Sequence, residues 1–359
     1  MFKAMDQAAA SIALEMYIVE DDETGREFRE HLTAAAQRGI RVQVLLDAFG
    51  SFDLPDYFWD ELRSADGLVR SFHPLLKGLL PFRNHRKLLL VDDRIAYIGG
   101  INIAEEYYHG AHGELPWRDN VIEISGPTAV WVRRSFARMW AKAELPYRRL
   151  FHRQVRNHLV RPPIQNGVRF LESGPENMLR PVRRAYRQLV RNAKQSIDLA
   201  MSYFYPHGRM LSALKRAAGR GVRVRLLFPE KTDVAVARWA AQGLYGRLLR
   251  AGIEVWEYKP SMLHAKLAIV DDTVVAGSAN LDMRSGRINH ELVAIVADTA
   301  IAAKARADFE DDLKQSRRIL LEEWKTRPFI QKIKERISYF LLARADIVLS
   351  RRELARKMR

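Results

Sequence analysis

The chain has 359 residues, of which 48% are hydrophobic and none is a cysteine. This length and composition are typical of a globular protein with room for two domains, and the lack of cysteine excludes disulfides, cysteine-zinc sites and cysteine nucleophiles. A formal net charge of +16 favours an anionic partner that presents many phosphates, and nucleic acid and an anionic membrane surface both fit.

The first predicted elements form a βαβ unit. The apolar segment SIALEMYIV at 11–19 predicts a strand, and a helical stretch that ends at Gly39 runs into a second apolar strand that ends at residue 47. A glycine just past a helix, followed by a buried strand, is typical of such units. No secretory signal is predicted ahead of them, and no run of about 18 uncharged apolar residues predicts a transmembrane helix.

The segment NHRKLLLVDDRIAYIGGIN at 84–102 carries the first candidate functional residues, and the apolar stretch HPLLKGLLPF at 73–82 precedes it. We interpret that stretch either as a loop that dips into a lipid interface or as an ordinary loop between domains. The apolar residues on both sides of DDR predict two strands joined by a turn, and a strand at 120–124 then leads to a helix. The candidate residues are His85, Lys87, Asp92, Gly99, Gly100 and Asn102.

The second half of the chain repeats the first. SIDLAMSYF at 196–204 matches the first strand, a helix again ends at Gly221 before a strand, and LHAKLAIVDDTVVAGSAN at 263–280 matches the motif. A strand at 291–297 follows. The matching residues are His264, Lys266, Asp271, Gly277, Ser278 and Asn280. Two such strings in register indicate a duplicated unit, so we predict an α/β fold of two pseudo-equivalent lobes, with βαβ-rich sheets flanked by helices.

We divide the chain at an Arg- and Pro-rich segment, 147–167, which we interpret as a linker. The first lobe then spans 1–146 and the second spans 168–316. The second lobe starts with the strand-like VRFLES and part of a helix, for which the first lobe has too few residues ahead of Ile12. Our hypothesis is a late start codon or a truncated sequence, which would leave the first lobe without its N-terminal strand.

The last segment, 317–359, departs from the repeat and predicts a basic amphipathic helical extension. Its apolar residues at helical spacing are Phe329, Ile330, Ile333, Ile337, Phe340 and Leu341, and the basic residues between them are Lys332, Lys334 and Arg336. Two interpretations stay open, namely a helix that lies on an anionic membrane and a terminal helix that packs on the second lobe.

The paired histidines and lysines are suited to attack on a phosphodiester without a metal. One of His85 and His264, in its neutral form, forms a covalent phosphohistidine. The other donates a proton to the leaving alkoxide and later accepts one from the incoming alcohol or water. Lys87 and Lys266 stabilise charge on the non-bridging oxygens. Two lysines beside two histidines repel a cation, so we predict no metal ligation and no cofactor.

Further polar residues complete the candidate site. A histidine used in this way needs a carboxylate that fixes its tautomer, and Asp119 and Glu291 lie on equivalent predicted strands downstream of the two motifs. Asn102, Ser278 and Asn280 are candidate donors to the phosphate oxygens.

The motif aspartates, Asp92 and Asp271, are grouped with the catalytic residues by the repeated pattern. Each lies in a predicted tight turn between two short strands. Because aspartate commonly begins such turns, we favour a structural role for both over a direct catalytic one.

These strings resemble the phospholipase D superfamily, whose hallmark is a duplicated His-Lys-Asp motif, and within it the bacterial cardiolipin synthases. The stretches that carry the resemblance are HRKLLLVDDRIAYIGGINIAEEY, PWRD and GPTAVWVRRSFARMW in the first half, and GIEVWEYKPSMLHAKLAIVDD and GSANLDMRSGRINHELVAIV in the second. The resemblance covers about residues 1–315. It implies one active site at the interface of two lobes, with His85 as the nucleophile and His264 as the acid and base. The chain resembles the shorter, peripheral members, which lack N-terminal transmembrane helices.

On this basis we expect a phosphatidyltransferase that makes cardiolipin from phosphatidylglycerol or related phospholipids in two steps. The alternatives are a phospholipase D-type hydrolase, a metal-independent nuclease of the same superfamily, and a lipid-binding protein with a decayed site. The expected partners are an anionic phospholipid membrane surface and phospholipid substrates, whereas nucleic acid is not favoured and no obligate protein partner is inferred. The expected location is peripheral, on the cytoplasmic face of the bacterial inner membrane.

Overall fold

A computed structural model of the chain describes residues 1–72, 82–111, 113–144, 167–175, 180–285 and 288–342. Two sheets with flanking helices form within these residues, one in each half of the chain, which confirms the predicted α/β class and its duplication. Nearly all of the predicted linker and of the apolar stretch at 73–82 lies outside the described residues, as does the C-terminal part of the predicted extension.

The first half forms a six-stranded sheet with helices on both faces. Its elements in chain order are α1 (Phe2–Asp6), β1 (Ser11–Met16), α2 (Glu23–Gln37), β2 (Arg41–Asp47), a 3-10 helix (Asp56–Trp59), α3 (Asp60–Ser64), β3 (Leu68–Phe72), β4 (Leu88–Val91), β5 (Ile95–Gly99), α4 (Glu105–Tyr108), β6 (Val121–Ser125) and α5 (Ala129–Glu144). The strand order is β3-β2-β1-β4-β5-β6. β1, β2 and β3 are parallel, and β4, β5 and β6 continue as an antiparallel meander.

The second half repeats this plan in an eight-stranded sheet. Its elements are β7 (Val168–Ser173), α6 (Pro181–Asn192), β8 (Ser196–Met201), α7 (Gly208–Gly219), β9 (Arg223–Pro229), α8 (Ala235–Leu249), β10 (Glu254–Tyr258), β11 (Lys266–Val270), β12 (Thr273–Gly277), β13 (Glu291–Ala297), α9 (Thr299–Lys314), β14 (Ser316–Ile319), α10 (Leu321–Thr326) and α11 (Phe329–Phe340). The strand order is β14-β10-β9-β8-β11-β12-β13-β7.

The two halves are equivalent in pairing and in helix ends. β1 pairs with β2 and β4 in the same way as β8 pairs with β9 and β11. Gly39 and Gly221, just past α2 and α7, have φ values of 83° and 87°. Glycine adopts this left-handed conformation without strain, so it ends both helices and turns the chain into the next strand.

The two sheets share a core. Phe136 of α5 packs in one cluster with strands of the first sheet and with Phe170 of β7 and Leu292 of β13. Phe309 of α9 packs on the second sheet in a cluster that Ile122 of β6 also contacts. Helices α2 and α3 cover the outer face of the first sheet, and α6, α7 and α8 cover that of the second. The halves are therefore held against each other by α5 and α9.

The sheets differ at their edges. β7 pairs with β13, and β14 pairs with β10, and neither strand has an equivalent among the described residues of the first half. β14 crosses the boundary predicted at residue 316, so the second sheet reaches into the segment predicted as a helical extension. In the described ranges, every helix is too short or too polar to cross a bilayer.

Candidate active site

The two motif histidines meet where the halves join, and the backbone of each is held by the opposite half. The N–H of His85 donates to the carbonyl of His290 at 3.1 Å, and the N–H of His264 donates to the carbonyl of Arg118 at 2.8 Å. An isolated parallel bridge joins the two halves at each of these places. Both histidines are thus fixed by contacts that exist only when the halves are assembled.

Each imidazole also receives a carboxylate from the opposite half. His85 Nδ1 lies 3.2 Å from Glu291 Oε2, and His264 Nδ1 lies 2.7 Å from Asp119 Oδ2. Both carboxylate side chains are fully buried. A carboxylate at Nδ1 holds the proton there and leaves Nε2 free to react. Each predicted carboxylate therefore contacts the histidine of the opposite half: Glu291 contacts His85, and Asp119 contacts His264.

The motif lysines lie against the histidines. Lys87 Nζ donates to the backbone carbonyl of His85 at 2.8 Å. Lys266 Nζ donates to the backbone carbonyl of His264 and lies 3.0 Å from Nε2 of the same ring. Burial, and then the charges of both lysines, lower the pKa of each histidine. The four groups therefore form one site.

Burial sets the charge state of this site. It lowers the pKa of Lys87 to about 7 and that of Lys266 to about 8. Burial and the charge of Lys266 lower the pKa of His264 to about 4, and burial also lowers the pKa of His85. At neutral pH both histidines are therefore neutral, Lys266 is mostly protonated and Lys87 is about half protonated, so the lysines carry what positive charge the site has.

The Gly-Gly of the first motif and the Gly-Ser of the second fit carboxylates of different length. A Cβ atom on Gly100 would overlap both carboxylate oxygens of Asp119, which occupy the space beside the glycine. At the equivalent position Ser278 Oγ donates to Glu291 Oε2 at 2.5 Å and accepts from the N–H of Leu292 at 3.0 Å. The hydroxyl predicted to donate to phosphate is therefore committed to the carboxylate.

Known proteins share this chain's sequence and fold. The family described as Cardiolipin synthase, PLD-like domain, matches residues 1–140 and 186–313. This chain belongs to that family. It is 33% identical over 351 residues to a cardiolipin synthase of Geobacillus kaustophilus (strain HTA426), covering 95% of this chain and 69% of that protein. It is 35% identical over 345 residues to the major cardiolipin synthase ClsA of Bacillus subtilis (strain 168), covering 94% and 71%.

A solved structure shows the same fold. The phosphatidylserine synthase of Haemophilus influenzae Rd KW20 superposes with a TM-score of 0.72 at 14% sequence identity, over 97% of this chain and 91% of that one. The two-lobed architecture of this cardiolipin synthase family member thus extends to a protein of distant sequence.

The motif asparagines bind hydroxyl groups of the protein. Asn102 Nδ2 donates to the hydroxyl of Tyr107 at 2.8 Å, and that oxygen lies 3.3 Å from Nδ1 of the second motif's histidine. Asn280 Oδ1 accepts from Ser202 Oγ at 2.8 Å, and Lys266 Nζ donates to the same hydroxyl at 3.3 Å. Each asparagine therefore orients a hydroxyl beside the reactive groups.

Sequence reasoning missed these hydroxyl residues and one aromatic ring. The ring of Tyr17 lies 4.8 Å from Lys87 Nζ and 4.8 Å from the ring of His85. Tyr17 and Ser202 occupy the same position of the internal repeat, directly after β1 and β8, and each contacts its own motif lysine. The repeat thus carried a signal for this pair.

The motif aspartates lie away from the histidines, which corrects their grouping with the catalytic residues. Asp92 accepts from three consecutive backbone N–H groups just before and at the start of β1, at 2.8–2.9 Å. Asp271 does the same ahead of β8, at 2.8–3.0 Å. β4 lies between Lys87 and Asp92, and β11 runs from Lys266 to the residue before Asp271. The length of a strand therefore separates each aspartate from the site. Their contacts hold neighbouring strands together.

Proposed function

We propose that this chain is a phosphatidyltransferase that makes cardiolipin from phosphatidylglycerol through a phosphohistidine. The observation that supports this most directly is the pair of histidines beside two buried lysines, because each histidine has its Nδ1 on a carboxylate of the opposite half. A two-step transfer needs one nucleophile and one acid and base, and the site supplies both. Membership of the cardiolipin synthase family supports the choice of lipid substrates.

In the first step, His85 Nε2 attacks the phosphorus of phosphatidylglycerol. The histidine lone pair forms the N–P bond, the P–O bond to glycerol breaks, and the proton on His264 Nε2 moves to the leaving oxygen. Lys87 and Lys266 stabilise the charge on the non-bridging oxygens. The negative phosphodiester favours the protonated form of His264 and so opposes the burial that lowers its pKa.

In the second step, a hydroxyl of a second phospholipid replaces glycerol. Its proton moves to His264 Nε2, its oxygen forms a P–O bond, and the N–P bond to His85 breaks. Water in the same place would give phosphatidic acid. The rings of Tyr107, Trp117 and Tyr203 lie 5.4, 5.7 and 6.4 Å from the ring of His264, and this aromatic enclosure favours transfer over hydrolysis.

The proposed contact with the membrane is the outward face of α11. The apolar residues there are between 42% and 74% exposed, and they are Phe329, Ile330, Ile333, Ile337 and Phe340 of α11 and Leu341 directly after it. The opposite face is packed on α8, with Glu335 and Ser338 buried. A helix fixed to the domain by its polar face, with apolar residues outward and basic residues among them, is suited to an anionic bilayer surface.

The end of α11 lies near the active site. Tyr339 and Leu342 pack against a cluster that includes Tyr205 and Met283, together with Tyr203 beside the histidine of the second motif. A bilayer on α11 would therefore adjoin the place where phosphatidyl groups must enter. The proposal includes a peripheral location on the cytoplasmic face of the bacterial inner membrane.

Product analysis tests the function. Wild type, His85→Ala and His264→Ala are mixed with vesicles of phosphatidylglycerol, and lipids and released glycerol are measured. His109→Ala, at an exposed histidine, is the matched control. We expect cardiolipin and glycerol from the wild type and the control, and a loss of about 10³-fold or more from each motif variant. A covalent phosphatidyl group on residue 85, trapped with labelled lipid, would support its assignment as the nucleophile.

Two outcomes would contradict the proposal. Phosphatidic acid without cardiolipin would make the protein a hydrolase, and full activity of either motif variant would refute the phosphohistidine mechanism. The nuclease alternative is not favoured by membership of the cardiolipin synthase family, and metal-independent cleavage of plasmid DNA that depends on His85 would revive it.

A further inference from the structure

A second basic site lies beside the active site, in the second half of the chain. It is an open pocket lined by the first two turns of α6, the first turn of α7 and the loop after β12. Arg183 and Arg187 of α6 and Arg209 of α7 line it. Burial, and then the charges of Arg180, Arg187 and Arg209, lower the pKa of Arg183. Several like charges are thus concentrated at one opening.

Hydrogen-bond donors that line this pocket lack acceptors among the described residues. None of Arg183, Arg187 and Arg209 forms an ion pair with a residue that the structure describes. Arg183 Nη1 is buried without a hydrogen-bond partner, and so is the hydroxyl of Tyr186, a side chain that is only 2% exposed. Leaving buried donors unpaired is costly, so a ligand with several acceptor oxygens would stabilise this arrangement. The N-termini of two helices favour a negative ligand at the same place.

The pocket adjoins the transfer site through one motif residue. Asn280 lines it and also accepts the hydrogen bond of Ser202, whose hydroxyl lies 3.3 Å from Lys266 Nζ. Asp282 lines it as well, with its carboxylate bonded to the N–H of Ser285 at 2.7 Å. Burial raises the pKa of Asp282 to about 7, so this carboxyl adds less negative charge than an ordinary aspartate. An anion in the pocket would lie next to the reacting phosphate.

The equivalent place in the first half has the opposite charge. In the second half a bridge joins Phe204, three residues after β8, to Leu281. The corresponding bridge of the first half joins Val19, three residues after β1, to Ile103. Beside that first-half bridge, carboxylate oxygens of Glu20, Asp22 and Glu106 lie within 4.8 Å of one another. The active site therefore has one acidic side and one basic side, and two phosphate-bearing lipids would not bind on them alike.

We propose that the arginine pocket binds the phosphodiester of the acceptor phospholipid and directs its free hydroxyl at the phosphohistidine. This inference rests on the proposed phosphatidyl transfer, because only a transferase that uses a lipid as its acceptor needs a second phosphate site. A guanidinium pair suits this ligand, since it donates several hydrogen bonds to phosphate oxygens in a fixed geometry. Glycerol, which carries no phosphate, would not need the pocket.

The test separates acceptor binding from the chemistry. The double variant Arg183→Gln with Arg187→Gln, in the full chain, is compared with wild type in two reactions on phosphatidylglycerol vesicles. One is cardiolipin formation, and the other is exchange of labelled glycerol into phosphatidylglycerol, which uses the same phosphohistidine. Arg184→Gln is the matched control, because Arg184 is exposed on the same helix and does not line the pocket.

We expect the double variant to lose about 10- to 100-fold in cardiolipin formation, with glycerol exchange within about twofold of wild type. Arg184→Gln should change neither rate. Equal loss of both reactions, or no loss of either, overturns the assignment. Weaker binding of inorganic phosphate with unchanged cardiolipin formation would assign the pocket to free phosphate and also overturn it. Failure of the proposed function looks different, because the wild type itself would then form no cardiolipin.

Discussion

Asp92 and Asp271 each accept from three backbone N–H groups, and their own φ values are 52° and 49°. We expect Asp92→Asn and Asp271→Asn to lower the free energy of unfolding by about 1–3 kcal/mol, with kcat per folded molecule nearly unchanged. Asparagine tolerates the left-handed conformation but loses the charge and one acceptor oxygen. Thermal unfolding and the vesicle assay measure the two effects.

The neighbouring exposed residue gives the control for this prediction. Asp272→Asn should leave stability within about 0.5 kcal/mol of wild type. Burial acts to raise the pKa of Asp92 and Asp271, but the backbone N–H groups lower it overall. Their stabilisation is therefore present above the ordinary carboxyl pKa and is lost as the pH falls through the lowered value. A loss of kcat without a loss of stability would return these residues to the catalytic set.

Gly100 makes room for the carboxylate that orients His264. We expect Gly100→Ala to lower kcat by about 10- to 100-fold, because the added Cβ displaces Asp119 from the ring. Gly219→Ala, where a Cβ would meet nothing within 4 Å, is the control and should keep full activity. Steady-state kinetics on phosphatidylglycerol vesicles measure both variants. Full kcat for Gly100→Ala would mean that Asp119 can orient the histidine from another position.

The lysines predict the pH dependence of the reaction. Burial lowers the pKa of Lys87 to about 7 and of Lys266 to about 8, so their charge is present below these values and lost above them. We therefore expect kcat/KM, which reports the free enzyme, to fall as the pH rises through this range. Lys87→Met should remove the part of the decline near pH 7 and leave the part near pH 8, while lowering the plateau. A profile that stays flat up to the ordinary lysine pKa would contradict these charge states.

At the level of single residues, the internal repeat was the strongest predictor. It identified His85, Lys87 and their counterparts because a chance pattern does not recur in register. It could not show that Glu291 contacts His85, because spacing along the chain does not say whether a carboxylate contacts the histidine of its own half or that of the opposite half. Nor could it show that Ser278 binds a carboxylate rather than phosphate, because a hydroxyl fits both and only packing decides.

Among the elements, the two strands of each motif and the turn between them were predicted from the sequence. The alternating apolar pattern and the aspartate turns fix β4, β5, β11 and β12 locally. β14 was missed, because its pairing with β10 is a tertiary contact. Arg317 of β14 donates to buried Glu257 at 2.9 Å, and this edge pairing prevails over the helical pattern of the segment.

The apolar face of α11 predicts how the protein binds lipid. We expect Phe329→Glu with Ile330→Glu to weaken binding to phosphatidylglycerol vesicles by about 10- to 100-fold, because two exposed apolar side chains no longer insert. The melting temperature should not change, since both side chains are exposed. Vesicle sedimentation measures the binding.

Leu68→Glu provides the comparison, because Leu68 is an exposed apolar residue on the edge strand β3, far in sequence from α11. We expect its binding to match wild type. If the α11 variant sediments with vesicles as well as wild type does, the membrane contact lies elsewhere on the molecule.

For the molecule as a whole, the shared core predicts a single unfolding unit. Phe136 is buried in the cluster that also contains Phe170 and Leu292 of the other half. We expect Phe136→Ala to destabilise the protein by about 3–5 kcal/mol and to lower the protection of amides in both sheets together. Hydrogen exchange followed by mass spectrometry resolves the two halves. Retained protection in β8 and β9, with loss in β1 and β2, would show that the halves unfold independently.

Asp119 and Glu291 reach across the junction in opposite directions, as equivalent residues do about the two-fold axis of a homodimer. Two identical subunits would have to present the same carboxylate and the same flanking surface to each other. Within one chain that symmetry is no longer imposed. One copy can keep Asp beside glycine and the other Glu beside serine, and one flank can be acidic while the other is basic. Duplication within a single chain thus permits an active site that distinguishes its two substrates, which a symmetric dimer of identical subunits does not.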